Sequence, residues 1–308
     1  MKLEDLEAFV AVVRMQSISA AAESLQLTQP TITRRVQNLE EALGVALLDR
    51  NVKPPRVNAM GREVHAQCRA VLREVTALRA LVALDTRPSG SLRLGLTQGL
   101  GDLVLPVALG RLRDATPELT VQVSVGWAGQ IVQRLVHAEL DGAVVLLPEG
   151  HALPRDVQGE ALGEPVRLVV VGPRGVARKS RLRLADVAPQ GWVLNPDGCG
   201  FRAGLQRALA AQGLPMDIRL ETFGRELQLQ MVAEGLGLGL VPEPLLTASA
   251  WREQLDVLPL SDFQPRVALW LLHARLLGKF EAPLRRFAAD VVEVLGLQEA
   301  KPATRCRA

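Results

Sequence analysis

The sequence contains no tyrosine, and its six phenylalanines and four tryptophans make up 3% of 308 residues. Proteins that hold single-stranded nucleic acid need aromatic faces on which bases stack, so this scarcity leaves that class without its platform. Cysteine is as sparse. Cys68, Cys199 and Cys306 are odd in number and share no Cys-x-x-Cys or Cys/His ligand spacing. A disulfide framework and a structural zinc site are both excluded, which fits a reducing cytoplasm. The four histidines (His65, His137, His151, His273) are scattered, and neither Gly-x-Ser-x-Gly nor His-Glu-x-x-His occurs. No cofactor, metal or catalytic residue is expected, and an enzyme reading has nothing to stand on. No run reaches about 18 uncharged apolar residues, the length a membrane helix needs. Glu4, Asp5 and Glu7 sit where a secretory signal would carry basic residues, so export is not expected.

What is present is ordinary globular material: 48% hydrophobic and 22% charged residues, enough for a core without staples. The length allows about two domains and a small third unit. The net charge of +3 is too mild to identify a polyanionic partner. Its distribution says more. Residues 28–62 hold six basic side chains (Arg34, Arg35, Arg50, Lys53, Arg56, Arg62) against three acidic ones (Glu40, Glu41, Asp49). A local basic patch in a balanced chain suits a compact nucleic-acid-binding module, with a solvated Arg-rich face as the alternative.

The first 60 residues read as short helices. Leu6, Phe9, Val10 and Val13 recur at helical spacing. Ser19 is an N-cap candidate for Ala20-Ala21-Ala22, whose small side chains would let another helix approach. Thr28 is a second N-cap, Pro30 falls in the first turn where its missing N–H is harmless, and Gly44 ends the helix. Ile32, Val36, Leu39 and Leu43 line its inner face, leaving Thr31, Thr33, Arg34, Arg35, Gln37 and Asn38 outside. Hydroxyls, amides and guanidiniums without a carboxylate are the set that hydrogen-bonds base edges and phosphates. Two helices joined by a brief turn, the second bearing such a face, form a helix-turn-helix. The segment between Arg50 and Arg56, with Lys53 and Pro54-Pro55, reads as a wing or as an ordinary exposed loop.

From Gly61 the periodicity changes. Val64, Cys68, Val71, Val75, Leu78 and Val82 are spaced as an a/d seam. Such a helix pairs with its twin in a dimer, or else packs on its own C-terminal domain. Asp85 to Gly90 is a hinge, followed by alternating strands and helices that predict right-handed crossovers and largely parallel sheets in two facing lobes. Expected strands are 92–96, 119–125, 143–147, 166–171, 192–194, 219–222 and 268–272. Expected helices are 101–114, 129–139, 202–212, 224–234 and 280–295. Gly235-x-Gly237-x-Gly239 follows a helix, whereas a dinucleotide fingerprint follows a strand, so it reads as close helix–strand packing.

Phe9, Ser17, Ala21-Ala22, Leu25, Thr28-Gln29-Pro30, Thr33-Arg34, Leu39-Glu40, Leu43-Gly44, Leu47, Arg50 and Gly61 stand at the spacing of the LysR-type transcriptional regulators, which the chain resembles over its first 85 residues and more loosely to about 296. Leu105-Pro106, Glu139-Leu140-Asp141 and the glycine-rich stretch 235–242 carry the looser part. The resemblance implies an all-α winged helix-turn-helix (1–60), a linker and dimerisation helix with hinge (61–90), and an α/β two-lobed effector-binding domain of periplasmic-binding-protein type (91–297). Lobe I would comprise 91–163 and 267–297, and lobe II 164–266, with 298–308 a disordered tail. Departures lie at Thr28, Thr31 and Thr33, where the family favours serine and alanine, at Asn58 and Met60, and at Pro54-Pro55 in place of a glycine-rich wing tip. They leave the mode of binding intact and put the target sequence in question.

On this resemblance Gln29, Thr31, Thr33 and Arg34 would read bases, and Arg35, Arg50, Lys53 and Arg56 would hold phosphates, with Thr28, Pro30, Gln37 and Asn38 in the same interface. The effector, a small polar or anionic molecule, would lie between Thr97-Gln98-Gly99 on one wall and Asn195, Gly198, Cys199, Phe201 and Arg202 on the other, with Thr222-Phe223 behind and Trp127 beside. Helix N-termini after these strands suit an organic anion. Some relatives sense oxidants through a cysteine pair near Cys199, but no second cysteine follows before Cys306. The partners implied are duplex DNA, a second copy in a dimer, two further copies in a tetramer, and RNA polymerase as a contact the resemblance allows. A periplasmic solute-binding protein is the rival, and it has no use for the first 85 residues.

Overall fold

The computed structural model describes residues 1–49, 56–82, 88–177, 180–274 and 277–297. The chain forms two compact units, one built on Met1–Thr86 and the other on the chain from Arg87 onward.

The first unit packs α1 (Leu3–Met15), α2 (Ile18–Ser24) and α3 (Gln29–Leu43) around Phe9, with a small ribbon of β1 (Leu48–Asp49) and β2 (Arg56–Val57) and the start of α4 (Ala59–Val82). Ala21 and Ala22 are buried, and their lack of bulk lets α2 approach α1. Fully burying Phe9 contributes about 1.5–3 kcal/mol. Ser17, not Ser19, caps α2: its hydroxyl accepts from the Ala20 amide at 3.3 Å, because the preceding left-handed residue Gln16 turns the chain two residues earlier than expected. Thr28 caps α3 and Gly44 ends it in the left-handed conformation. Leu43 corrects the expected inner face. It is 40% exposed, since α3 overshoots the core by a turn, and Ile32, Val36 and Leu39 hold the helix.

The second unit opens with β3 (Gly90–Thr97), α5 (Gln98–Ala115), β4 (Leu119–Gly126), α6 (Ala128–Val136) and β5 (Gly142–Pro148). Here β3 lies between β4 and β5, parallel to both. Next come β6 (Val157–Pro173), α7 (Leu184–Val187), β7 (Trp192–Leu194), α8 (Gly200–Ala210), β8 (Ile218–Glu221), α9 (Arg225–Ala233), β9 (Gly239–Pro242), α10 (Glu243–Thr247), β10 (Leu255–Val257), β11 (Arg266–Ala274) and α11 (Glu281–Val294). The expectation of largely parallel sheets holds for β3–β4, β3–β5 and β7–β8. It fails around β6, where β9, β10 and β11 all pair antiparallel, as does β11 with β5. The cause is connectivity. The long β6 carries the chain out along β11 as far as Arg167 and then, from Leu168, pairs with β9 and β10; β11 brings the chain back. Two strands running out and back must oppose each other.

Three boundaries bear on function. Helix α5 begins at Gln98, three residues before the expected start, so Gln98 and Gly99 form its first turn. Helix α6 stops at Val136 because Ala138 adopts a positive φ. Gly239 packs where a Cβ would lie 3.0 Å from the Val232 side chain of α9 and 3.1 Å from that of Val171 in β6, the close helix–strand approach that the glycine repeat predicts, while Gly237 sits 3.0 Å from the Gly191 carbonyl oxygen by the same measure.

Candidate functional site

Helix α3 presents a hydrogen-bonding face to solvent. Thr28, Gln29, Pro30, Arg34 and Asn38 are exposed, and Thr31, Thr33, Arg35 and Gln37 are half-buried. Three of its polar groups are engaged locally: the Thr28 and Thr31 hydroxyls lie 2.8 Å apart, and the Thr33 hydroxyl donates to the Gln29 carbonyl at 3.0 Å. With the other described residues, Arg34, Arg35, Gln37 and Asn38 make no side-chain hydrogen bond or ion pair. The first carboxylate along the helix, Glu40, turns inward and accepts from the Leu47 and Leu48 amides at 2.8 and 3.1 Å. It therefore ties α3 to β1, and an anionic partner meets less repulsion from it.

Beside this face, Arg56 is exposed on β2, opposite Asp49 in the ribbon. Arg50 and Lys53, with the rest of the expected wing tip, lie outside the described residues. Gly61 supports the ribbon's base: a Cβ there would overlap the Leu47 carbonyl oxygen and come within 2.7 Å of the Val57 side chain.

The seam of α4 is divided. Cys68 is buried against the unit's own core and Val64 is half-buried beside it. Burial pushes the Cys68 thiol up, so it is not a reactive thiolate. Val71 and Leu78 are 46% and 61% exposed, and Val75 is half-buried. The side chain of Val82 lies outside the description. The N-terminal part of the expected seam thus anchors α4 to its own subunit, and the apolar surface left over sits farther along.

The second unit contains a cavity of about 370 Å³. Of the residues expected around an effector, Thr97, Gln98, Gly99, Trp127, Asn195, Gly198, Cys199, Phe201 and Phe223 line it. Four helices begin at its wall: α5 with Gln98 and Gly99, α6 with Ala128 and Gly129, α8 with Gly200 and Phe201, and α9 with Arg225. Thr97, Cys199 and Gly224 occupy the N-cap positions of α5, α8 and α9 without capping through a side chain. Trp127, whose carbonyl accepts the Ile131 amide, precedes α6 with an indole that can only donate. Uncapped first-turn N–H groups and the helix dipoles together favour negative charge.

The indole of Trp127 stacks on Phe223, with ring centroids 6.0 Å apart and planes at 19°. Gly198, at φ +95°, lets the 195–199 loop pass the indole where a Cβ would be 2.8 Å from Trp127 Cδ1. The Thr97 hydroxyl accepts from the Leu146 amide at 3.0 Å, fixing the end of β3 to β5. Cys199 is buried, with its Sγ 3.8 Å from Asn195 Nδ2.

Two expected residues do not line the cavity. Arg202 is buried and committed elsewhere: Nη1 donates to Glu221 Oε1 at 2.6 Å and to the Asn195 carbonyl at 3.2 Å, and Nε lies 3.2 Å from Asp197 Oδ1. It positions the loop and offers no charge to a ligand there. Thr222 is buried behind the wall, its hydroxyl accepting from the Gly224 amide at 3.4 Å. Four polar residues were not anticipated: Gln133, His151, Arg225 and Gln228. Gln228 is 2% exposed and donates to the Val193 carbonyl at 2.9 Å. Arg225 binds its neighbour Glu226 through Nε and Nη2, at 2.8 and 2.7 Å from Oε1, while Ser249 donates to the other Glu226 oxygen at 2.9 Å. Sequence alone carries one usable signal for Arg225, its place at the start of the helix after Thr222-Phe223.

Comparison with known proteins agrees with this division. Residues 3–62 match the model of the bacterial regulatory helix-turn-helix protein, lysR family, and residues 85–289 that of the LysR substrate binding domain. The chain is 26% identical over 286 residues to the hydrogen peroxide-inducible genes activator of Dickeya chrysanthemi, covering 91% of this chain and 93% of that protein. With the HTH-type transcriptional regulator GltR of Bacillus subtilis it shares 29% over 249 residues, 80% and 82% of the two chains. These relatives are transcriptional regulators. A full-length OxyR variant from Pseudomonas aeruginosa superposes with a TM-score of 0.75 at 22% identity, covering 98% of this chain and 99% of that one. Full-length CbnR in complex with its target DNA gives 0.56 at 21% identity, covering 96% and 100%. At these identities the structures speak for the fold.

Proposed function

The chain belongs to the LysR family of transcriptional regulators, DNA-binding proteins with an effector-binding domain, and we propose that α3 is the helix by which it reads duplex DNA. Gln29, Thr31, Thr33 and Arg34 contact base edges in the major groove, and Arg35 and Arg56 meet phosphates, joined by Arg50 and Lys53 of the wing. The observation that carries this reading is the composition of one face. Four polar side chains from Arg34 to Asn38 have no partner among the described residues, and Glu40 points away from them. Unpartnered donors and acceptors on a rigid, well-rooted helix are preorganised for an external ligand with matching edges.

In the same reading residues 1–60 bind DNA, 61–90 link and dimerise, and 91–297 bind effector, with lobe I at 91–163 and 267–297 and lobe II at 164–266. The protein works in the cytoplasm as a dimer, and as a tetramer on DNA, with Val71 and Leu78 in the contact between copies. The effector is a small anion held in the cavity by first-turn N–H groups of α5, α6, α8 and α9. Its binding shifts the balance between two arrangements of the lobes, which requires different affinities for the two.

A gel-shift with duplex DNA from the region upstream of the protein's own gene, challenged with excess single strand, tests the first part. Retention against single strand is expected, with protection of two or more half-sites in a footprint. Release by single strand, or no binding to duplex at low salt, overturns it.

A further inference from the structure

We propose that Glu40 and Asn58 are positioning residues that fix the angle between α3 and α4, and so select the spacing of half-sites that two joined copies accept on DNA. The inference rests on the reading that α3 enters the major groove and that α4 joins the copies, and it adds the means by which spacing is chosen.

The two helices are tied through one piece of backbone, at Leu47. On one side its amide donates to the Glu40 carboxylate of α3 at 2.8 Å, and the Leu48 amide donates to the same oxygen at 3.1 Å. On the other side the Leu47 carbonyl accepts the Asn58 amide at 3.1 Å. Asn58 then engages α4: its Oδ1 accepts the Gly61 amide at 2.7 Å, and its carbonyl accepts the Arg62 amide at 3.1 Å. Its last polar group, Nδ2, donates back to the Ala46 carbonyl at 2.8 Å. Capping a helix takes a single side-chain acceptor, which serine supplies as well. The bond from Nδ2 is therefore additional to capping, and it gives the start of α4 a second tie to the backbone that Glu40 holds.

The core alone does not fix this angle. Both helices pack on α1 through apolar side chains, among them Val36, Leu39 and Cys68. Apolar contact has no direction, so it permits one helix to roll or tilt against another, whereas hydrogen bonds weaken steeply as their angles open. The Leu47 side chain is fully buried, which keeps the tie point itself in place.

Leverage turns a small angle into a base pair. From Asn58 to the exposed Leu78, α4 runs about 30 Å at ~1.5 Å per residue. With the copies joined at Leu78, a tilt of about 10° at Asn58 displaces α3 by about 5 Å, more than the ~3.4 Å rise of one base pair. An added base pair also rotates the second half-site by about 35°. A stiff joint resists both changes, and a slack one absorbs them.

The test uses the full chain and duplexes built from the two half-sites protected upstream of its own gene. These carry the native spacing, or one base pair more or less, beside a duplex with a single half-site. In gel-shift titrations the wild type should lose at least about tenfold in affinity when the spacing changes. Asn58→Ser, which keeps a cap for Gly61 and loses the tie to Ala46, should bring that penalty to about threefold or less. Its binding to the single half-site should stay within about twofold of the wild type. Glu40→Ala should relax the spacing from the α3 side. A penalty as sharp in Asn58→Ser as in the wild type overturns the proposal. So does an equal loss by Asn58→Ser on every duplex, single half-site included, since Asn58 would then only hold its unit together. A wild type indifferent to spacing overturns it differently, by removing the premise that joined copies read both half-sites. Should Glu40→Ala fail to fold, Asn58→Ser decides.

Discussion

Trp127 and Phe223 approach the cavity from different strands, one after β4 and the other after β8, and stack at 6.0 Å. Trp127 is 9% exposed and Phe223 63%, so Phe223 acts as the outer cover of a largely buried indole. Such pairs contribute about 0.5–1.5 kcal/mol beyond the area they bury. Phe223→Ala should lower stability by about that amount and no more, since little of its own surface is buried. The same variant should move Trp127 emission to longer wavelength as water reaches the indole, a change absent from a Trp127→Phe background. Unchanged stability and emission would mean that the stack holds nothing together.

Gly61 gives a sharper expectation. The carbonyl its Cβ would strike, that of Leu47, already accepts the Asn58 amide at 3.1 Å, so it cannot retreat without breaking the ribbon's base. Overpacking against fixed backbone costs at least about 1–3 kcal/mol. Gly61→Ala should therefore destabilise the N-terminal unit, with loss of duplex binding in a gel-shift. The melting of the effector-binding unit, followed through its tryptophans, should stay as it is. A variant that binds DNA as the wild type does would show that β1 and β2 yield more easily than this geometry allows.

These two sites differ in how far the sequence reveals them. The inner face of α3 is legible because Ile32, Val36 and Leu39 recur with the helical period, and Thr28 and Gly44 punctuate it. Thr97, Trp127, Asn195 and Phe223 are legible as residues just after strands. Arg225 is not. A charged residue opening a helix looks like a solvated face, and only the fold brings it to the cavity wall. The same limit explains Arg202, which sits at the expected wall but is captured by Glu221 and Asp197. Sheet direction fails for a related reason: β9 and β10 are four and three residues long, and their pairing with β6 depends on chain segments far away in sequence.

His65 makes the stability of the N-terminal unit depend on pH. Its imidazole packs edge-on to Phe9 at 6.3 Å, and its buried Nε2 has no hydrogen-bond partner among the described residues. Burial, with the Arg69 cation beside it, lowers its pKa, and Glu139 offsets this only in part. A histidine whose pKa is depressed by folding takes up a proton more readily in the unfolded chain. Stability is therefore full above the ordinary histidine pKa of about 6.5 and falls as pH drops below it. Urea midpoints between pH 7.5 and 5 should decline, and His65→Gln should flatten that part of the curve. A wild-type midpoint that does not change across this window would contradict the assignment.

Arg34 and Arg35 are adjacent on α3, and their exposures separate their roles. Arg34 is exposed on the same side as Asn38, one turn along, whereas Arg35 is half-buried nearer the root of the helix. Thr31 and Asn38 lie three or four residues from both arginines, so it is the greater exposure of Arg34 that assigns it to base reading and Arg35 to the backbone. Arg34→Ala should cost about 1–3 kcal/mol on the specific operator and relax discrimination at one base pair, with the affinity for random duplex little changed. Arg35→Ala should weaken all duplexes alike and reduce the slope of log K against log salt by about one. If both variants lose affinity uniformly, α3 still grips DNA, but Arg34 holds a phosphate and base reading falls to Gln29, Thr31 and Thr33.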